Sequence, residues 1–92
     1  MLIAEQMSLS FCIRDGSPGL EIIAPKTAYD GQWMEHVLKQ RALDLAYYDN
    51  CIPLIHHTGD WLIWHPVPQS QPASLSETAH CLLDLVGIDI SI

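Results

Sequence analysis

From Met7 the chain alternates: Met7, Leu9, Phe11 and Ile13 fall on one side of an extended backbone, and Ser8, Ser10, Cys12 and Arg14 on the other. That period of two predicts a half-buried strand. Asp15-Gly16-Ser17-Pro18-Gly19 supplies turn residues, and Leu20-Glu21-Ile22-Ile23-Ala24 reads as the returning strand of a hairpin, closed by Pro25. The period changes after Asp30, which can cap a helix carrying Met34, Leu38, Ala42 and Leu45 at helical spacing. Trp33 and Val37 widen that stripe, Glu35 and Lys39 form an i,i+4 pair, and the helix is expected to end between Tyr48 and Asn50.

A second hairpin follows, with apolar runs at residues 51–56 and 61–65 flanking His57-Thr58-Gly59-Asp60. Pro53 assigns the first of these strands to a sheet edge or to a strand start. Pro66, Pro68 and Pro72 make residues 66–74 a loop, after which Ser74-Leu75-Ser76-Glu77 is a capping box opening a helix with Leu75, Ala79, Leu82, Leu83 and Val86, stopped by Gly87. Residues 88–92 alternate as a further strand would, or simply extend the tail. The expected fold is a single α+β domain over residues 1–92, order β-β-α-β-β-α, with an antiparallel sheet and both helices on one face.

With Thr58-Gly59 as a tight turn, His56 faces Trp61, Leu54 faces Ile63 and Ile52 faces His65. Ile52, Leu54, Trp61 and Ile63 then share one face, while Ile55, Leu62 and Trp64 share the other. Helices on one side cover only one of two apolar faces. The second is expected to bury against another chain, unless the 66–74 loop or the tail folds over it. Candidate partner-binding residues are therefore Leu62, Trp64, Ile55 and Trp61. Alternation sends the two tryptophans to opposite faces, one into the core and one, with Trp64 favoured, to an interface.

At 92 residues, 49% hydrophobic and 16% charged, the chain has enough apolar material for one packed domain with a thin core. Eleven acids against four bases give a formal charge of −7. Arg14, Lys26, Lys39 and Arg41 cannot neutralise a row of phosphates, which excludes nucleic acid and anionic membrane surfaces as expected partners. There is no apolar run of the ~18–20 residues a membrane span requires and no signal-peptide pattern, so a cytoplasmic location is expected. Cys12, Cys51 and Cys81, odd in number and set among apolar neighbours, read as free buried thiols.

Five histidines raise the question of a metal. His56 and His65 share a face in the register above but stand about 13 Å apart at the usual strand rise. His57 points to the opposite face, and His36 and His80 are each isolated on a helix. No metal or cofactor site is expected. Nor is there a nucleophile elbow, a Cys-His signature or a phosphate loop, so no catalytic residues are assigned and the chain is read as a non-enzyme.

Four stretches, SLSFCIRDGSPGLEIIAP, QWMEHVLKQRALDL, CIPLIHHTGDWLIWHPVP and SLSETAHCLLDLVG, cover residues 8–87 in an order, hydrophobic rhythm and acidity that resemble the small acidic chaperones of bacterial type III secretion systems. The departure is at the start, where those chaperones carry a helix and this chain has six residues before its first strand. The resemblance implies a non-catalytic homodimer that holds a secreted effector or a regulatory protein of the system on hydrophobic sheet surface. It also implies a dimer interface on the first helix, at Trp33, Val37, Leu38 and Arg41. The alternative from another class is an acidic inhibitor or immunity protein, whose Asp15, Glu21, Asp60 and Asp89 would meet a basic toxin or nuclease.

Overall fold

One antiparallel sheet, with helices packed on a single face, organises the chain; the computed structural model describes residues 2–4, 6–67 and 74–88. The elements in chain order are β1 (Leu2–Ala4), β2 (Met7–Arg14), β3 (Ser17–Ala24), α1 (Gly31–Leu43), α2 (Leu45–Tyr48), β4 (Ile52–Ile55), β5 (Trp61–Pro66) and α3 (Ser74–Leu85). Strand order in the sheet is β1-β2-β3-β5-β4, so β3 is central and β4 is an edge, as Pro53 requires. The α+β class and the hairpin-helix-hairpin-helix order are as the sequence predicts. β1, three residues long, and α2, four, are additions too short to show a period. The suggested strand at residues 88–92 lies, beyond Ile88, outside the described residues.

The β2–β3 hairpin turns on Asp15 and Gly16, both at positive φ (51° and 79°), the two-residue turn whose twist matches that of the strands it joins. Asp30 caps α1 as predicted, its Oδ1 accepting from Trp33 N at 3.1 Å. The buried side of α1 is nevertheless rotated from the expected stripe. Met34 and Val37 are buried and Trp33 packs against the core, whereas Leu38, Ala42 and Leu45 face out. Beyond α1, Asp44 (φ −141°, ψ 67°) breaks the helix, and its carboxylate restarts it by accepting from Tyr47 N. Tyr48 then enters the core where a continuous helix would have used Leu45. α3 ends as read: Gly87 takes φ 78°, and Ile88 N donates back to the Leu83 carbonyl at 2.9 Å.

Met7, Leu9, Leu20, Ile22, Ala24 and Ile63 from one sheet face meet Met34, Val37, Tyr48, Cys81, Leu82 and Leu85 from the helices, with Cys51 and Val67 closing the ends of the core. Among the described residues no helix is long and apolar enough to cross a membrane.

The second hairpin differs from the expected register by one residue. Ile55 pairs with Trp61, Leu54 with Leu62, Pro53 with Ile63 and Ile52 with Trp64. A two-residue turn at Thr58-Gly59 would need Thr58 at positive φ, which a β-branched residue resists. Instead Gly59 N donates to His56 O and His56 N donates to Asp60 O, both at 2.8 Å, and only Gly59 takes positive φ (92°). The loop is thus a tight turn followed by a glycine bulge. Ile52 and Leu54 thereby move to the face of Leu62 and Trp64, and Ile55 joins Trp61 and Ile63. The expected grouping of Ile55 with Leu62 and Trp64 is corrected accordingly.

Asp60 anchors this loop, accepting from Lys26 N and from Thr58 Oγ1, each at 3.0 Å. The Lys26 amide first, and the Thr58 hydroxyl second, hold its carboxyl below the usual aspartate range. A depressed folded pKa stabilises the protein above the ordinary aspartate value, and that contribution is lost as the pH falls through the folded one. Asp60→Asn is expected to remove this part of the acid-side decline, which thermal unfolding midpoints recorded from neutral pH downward will show.

Candidate functional site

The sheet face away from the helices is divided. Ser8, Ser10 and Cys12 of β2 form a polar half beside an Arg14–Glu21 ion pair, with Nη2 to Oε2 at 2.9 Å. Ile23, Leu62, Trp64, Ile52 and Leu54 form an apolar half, grouped by the registers of β3, β4 and β5. Leu62, flanked in register by Ile23 and Leu54, is only 1% exposed although, among the described residues, no helix lies on this face. Trp64 is half-buried and lies over Gly19, where a Cβ would sit 2.6 Å from its Nε1 and 2.6 Å from the His65 carbonyl oxygen. Trp64 Nε1 and Arg14 Nε are both buried without a hydrogen-bond partner, so packing holds the indole in place. A cavity of about 510 Å³ opens beside them, bounded by Arg14, Ile52, Leu54 and Trp64.

Accessible apolar side chains occur on β2 (Phe11, Ile13), at Leu43 and Leu45, and as a continuous strip along edge strand β4. Ile52, Leu54 and Ile55 are 39%, 41% and 70% exposed, and Leu38 of α1, 47% exposed, stands nearby. Met34, Leu38, Pro53, Leu54, Ile55 and Trp61 line a groove of about 480 Å³ between that edge and the helix. Trp61 forms its floor, packed against the core and held by its indole N–H donating to Tyr29 O at 2.7 Å.

The tryptophans occupy opposite faces, as strand alternation predicts, with Trp61 on the helix side. Leu62 is buried within the open face and Ile55 is exposed on the helix side. Of the four residues expected at a dimer interface, Leu38 alone is exposed. Val37 belongs to the monomer's core, Trp33 packs against that core and the Tyr29 ring, and Arg41 donates to the carbonyls of Cys51 and Asp49 at 2.8 and 3.2 Å. Among the acids offered for an inhibitor, Glu21 is buried against Arg14 and Asp60 is engaged in its loop. Asp15 is exposed in the first turn, and Asp89 lies outside the described residues.

A second locus lies where β5 ends against α3. Tyr47, Asn50, His65, Val67, Glu77 and Cys81 are among the residues lining a cavity of about 680 Å³. Cys51, just before β4, sits behind it with Sγ 3.6 Å from Cys81 Sγ. One ligand atom from each of Cys51, His65 and Cys81 lies within 4.8 Å of the others. The expectation of no metal-binding set is corrected to this extent: a group of suitable side chains does assemble. A search by histidine spacing misses it because its members come from three separate elements. The nearest signal in the sequence is that Cys51 and His65 occupy the two ends of one hairpin.

Both thiols are raised from the ordinary cysteine range. Burial is the main cause, with the neighbouring Cys81 adding for Cys51 and the Asp84 carboxylate adding for Cys81. Cys81 donates to Tyr47 O at 3.5 Å. Tyr47 itself is pushed up to about 12 by burial, Cys81 and Asp84, whose Oδ2 accepts from its hydroxyl at 3.3 Å. Cys12, on the open face, is raised by desolvation and by Glu21. Thiols in this state are weak nucleophiles at neutral pH.

These features define a small helix-backed antiparallel sheet with an open face divided into polar and apolar halves, an apolar edge groove and a thiol-imidazole cluster. Comparison with protein-family models, with curated proteins and with solved structures found no match.

Proposed function

We propose that this chain is a non-catalytic protein-binding domain, a small acidic chaperone or chaperone-like regulator of the type III secretion kind, which holds a client polypeptide on apolar sheet surface. The observation that carries the reading is the β4 edge, with Ile52, Pro53, Leu54 and Ile55 accessible beside the groove floored by Trp61. A monomer that leaves a contiguous apolar strip at an unpaired sheet edge has a surface suited to another polypeptide. Pro53 lacks an amide hydrogen and blunts the edge against extended strand addition, so the client is held chiefly through side chains seated in the groove. The surplus of acids keeps such a surface soluble. The inhibitor reading has weaker support, because Glu21 and Asp60 already have internal partners.

The test is co-purification from the native host followed by binding measurements on the identified partner. A partner that belongs to a secretion system, bound with little dependence on salt, supports the reading. A basic toxin or nuclease, released steeply by salt, overturns it. Leu54→Lys combined with Ile55→Lys is expected to weaken client binding by about 2 kcal/mol, roughly thirtyfold. The unfolding midpoint should change little, since both side chains are exposed.

A further inference from the structure

We propose that Cys51, His65 and Cys81 form a zinc site that ties the sheet to α3. The separation of the two sulfurs, 3.6 Å, is close to the edge of a tetrahedron with zinc–sulfur bonds of about 2.3 Å, which is about 3.8 Å. No disulfide links them; both cysteines are free. The imidazole makes a hydrogen bond suited to the same role. His65 Nδ1 lies 2.7 Å from the Pro66 carbonyl, which can only accept, so in the neutral ring Nδ1 carries the proton and Nε2 is the nitrogen available to a metal. Metal-bound histidines are commonly held this way, by a backbone carbonyl on the ring nitrogen that does not face the metal.

The chemistry favours zinc over the hard divalent ions. Two thiolates and an imidazole are soft and borderline ligands, suited to zinc and poorly matched to calcium or magnesium, which take oxygen. Loading displaces one proton from each thiol to solvent and leaves two thiolates, a neutral imidazole and a dication, a set with no net charge. That neutrality makes the site compatible with the buried surroundings of Cys51 and Cys81. His65 and Cys81 also line the 680 Å³ cavity, so the fourth position opens onto a space large enough for a water ligand. The three ligands come from the residue before β4, the end of β5 and the middle of α3. An ion shared among them joins the paired strands to α3, which packs on them through a thin core, the kind of staple on which small domains commonly rely.

The test uses the full chain, kept reduced with a phosphine and stripped of metal, titrated with Co²⁺ alone and then with Zn²⁺ alone. The expected result is one cobalt per chain, with a thiolate-to-cobalt charge-transfer band and the intense visible bands of tetrahedral Co²⁺, all bleached by an equivalent of zinc. Zinc should also raise the unfolding midpoint. Cys51 and Cys81 lie in the core, where serine can disturb folding, so the principal variant is His65→Gln at the cavity wall. Its metal-free far-ultraviolet circular dichroism is checked against wild type. His65→Gln is expected to weaken cobalt binding about a hundredfold or more, while Cys12→Ser leaves it unchanged. A folded wild-type chain with no charge-transfer band at excess cobalt overturns the proposal. Wild-type cobalt affinity in folded His65→Gln does so as well.

Discussion

Truncating Trp61 to Ala is expected to cost about 3–5 kcal/mol, a large part of what a small domain has to lose. Trp61 packs against the core, floors the β4 groove and donates to Tyr29 O at 2.7 Å, fixing the segment between β3 and α1. Its removal leaves a cavity under α1 and deletes the hydrogen bond to Tyr29 O. Trp64, on the opposite face, provides the control. It too is half-buried, but its Nε1 has no partner, so Trp64→Phe sacrifices no hydrogen bond. Trp61→Phe is expected to cost about 1 kcal/mol more than Trp64→Phe, the net value of one hydrogen bond. Urea unfolding of the alanine and phenylalanine variants at both positions measures each difference. Equal losses in the two phenylalanine variants would show that the Tyr29 bond contributes nothing.

Gly19→Ala is expected to be nearly as damaging, at about 3 kcal/mol, the upper end of what overpacking usually costs. The added Cβ would stand 2.6 Å from Trp64 Nε1 and 2.6 Å from the His65 carbonyl oxygen. The indole can swing away. The carbonyl belongs to β5, paired with β3 through Gly19↔Pro66 and Leu20↔His65, and moves only if the strands separate. The same substitution at Gly16 or Gly59 meets no atom within 4 Å, although both glycines have positive φ and carry a backbone cost of their own. Denaturant unfolding together with tryptophan fluorescence distinguishes the two effects. Gly19→Ala should both destabilise the protein and release Trp64 to solvent, whereas Gly59→Ala should destabilise it with the fluorescence unchanged.

Local spacing alone determined much of this protein. The alternation of Met7 through Arg14, the Asp15-Gly16 turn, the Asp30 cap, the placing of Pro53 on an edge and the stop at Gly87 are all set by residues within a few positions of one another. The opposite facing of Trp61 and Trp64 belongs to the same class, because a strand's side chains have a period of two whatever the strand packs against. Three features required the assembled molecule. The register of β4 against β5 depended on Gly59, not Thr58-Gly59 together, taking positive φ, and one residue of slip moved Ile52 and Leu54 across the sheet. The inward side of α1 was decided by its packing, which buries Met34 and Val37 and leaves Leu38 outside, while the break at Asp44 brings Tyr48 to the core and leaves Leu45 out. The meeting of Cys51, His65 and Cys81 depended on packing α3 against the end of the second hairpin. Turns, caps and alternation are decided by short-range sterics and hydrogen bonds within one segment, whereas a cluster drawn from three segments exists only once the free energy of burial has brought them together.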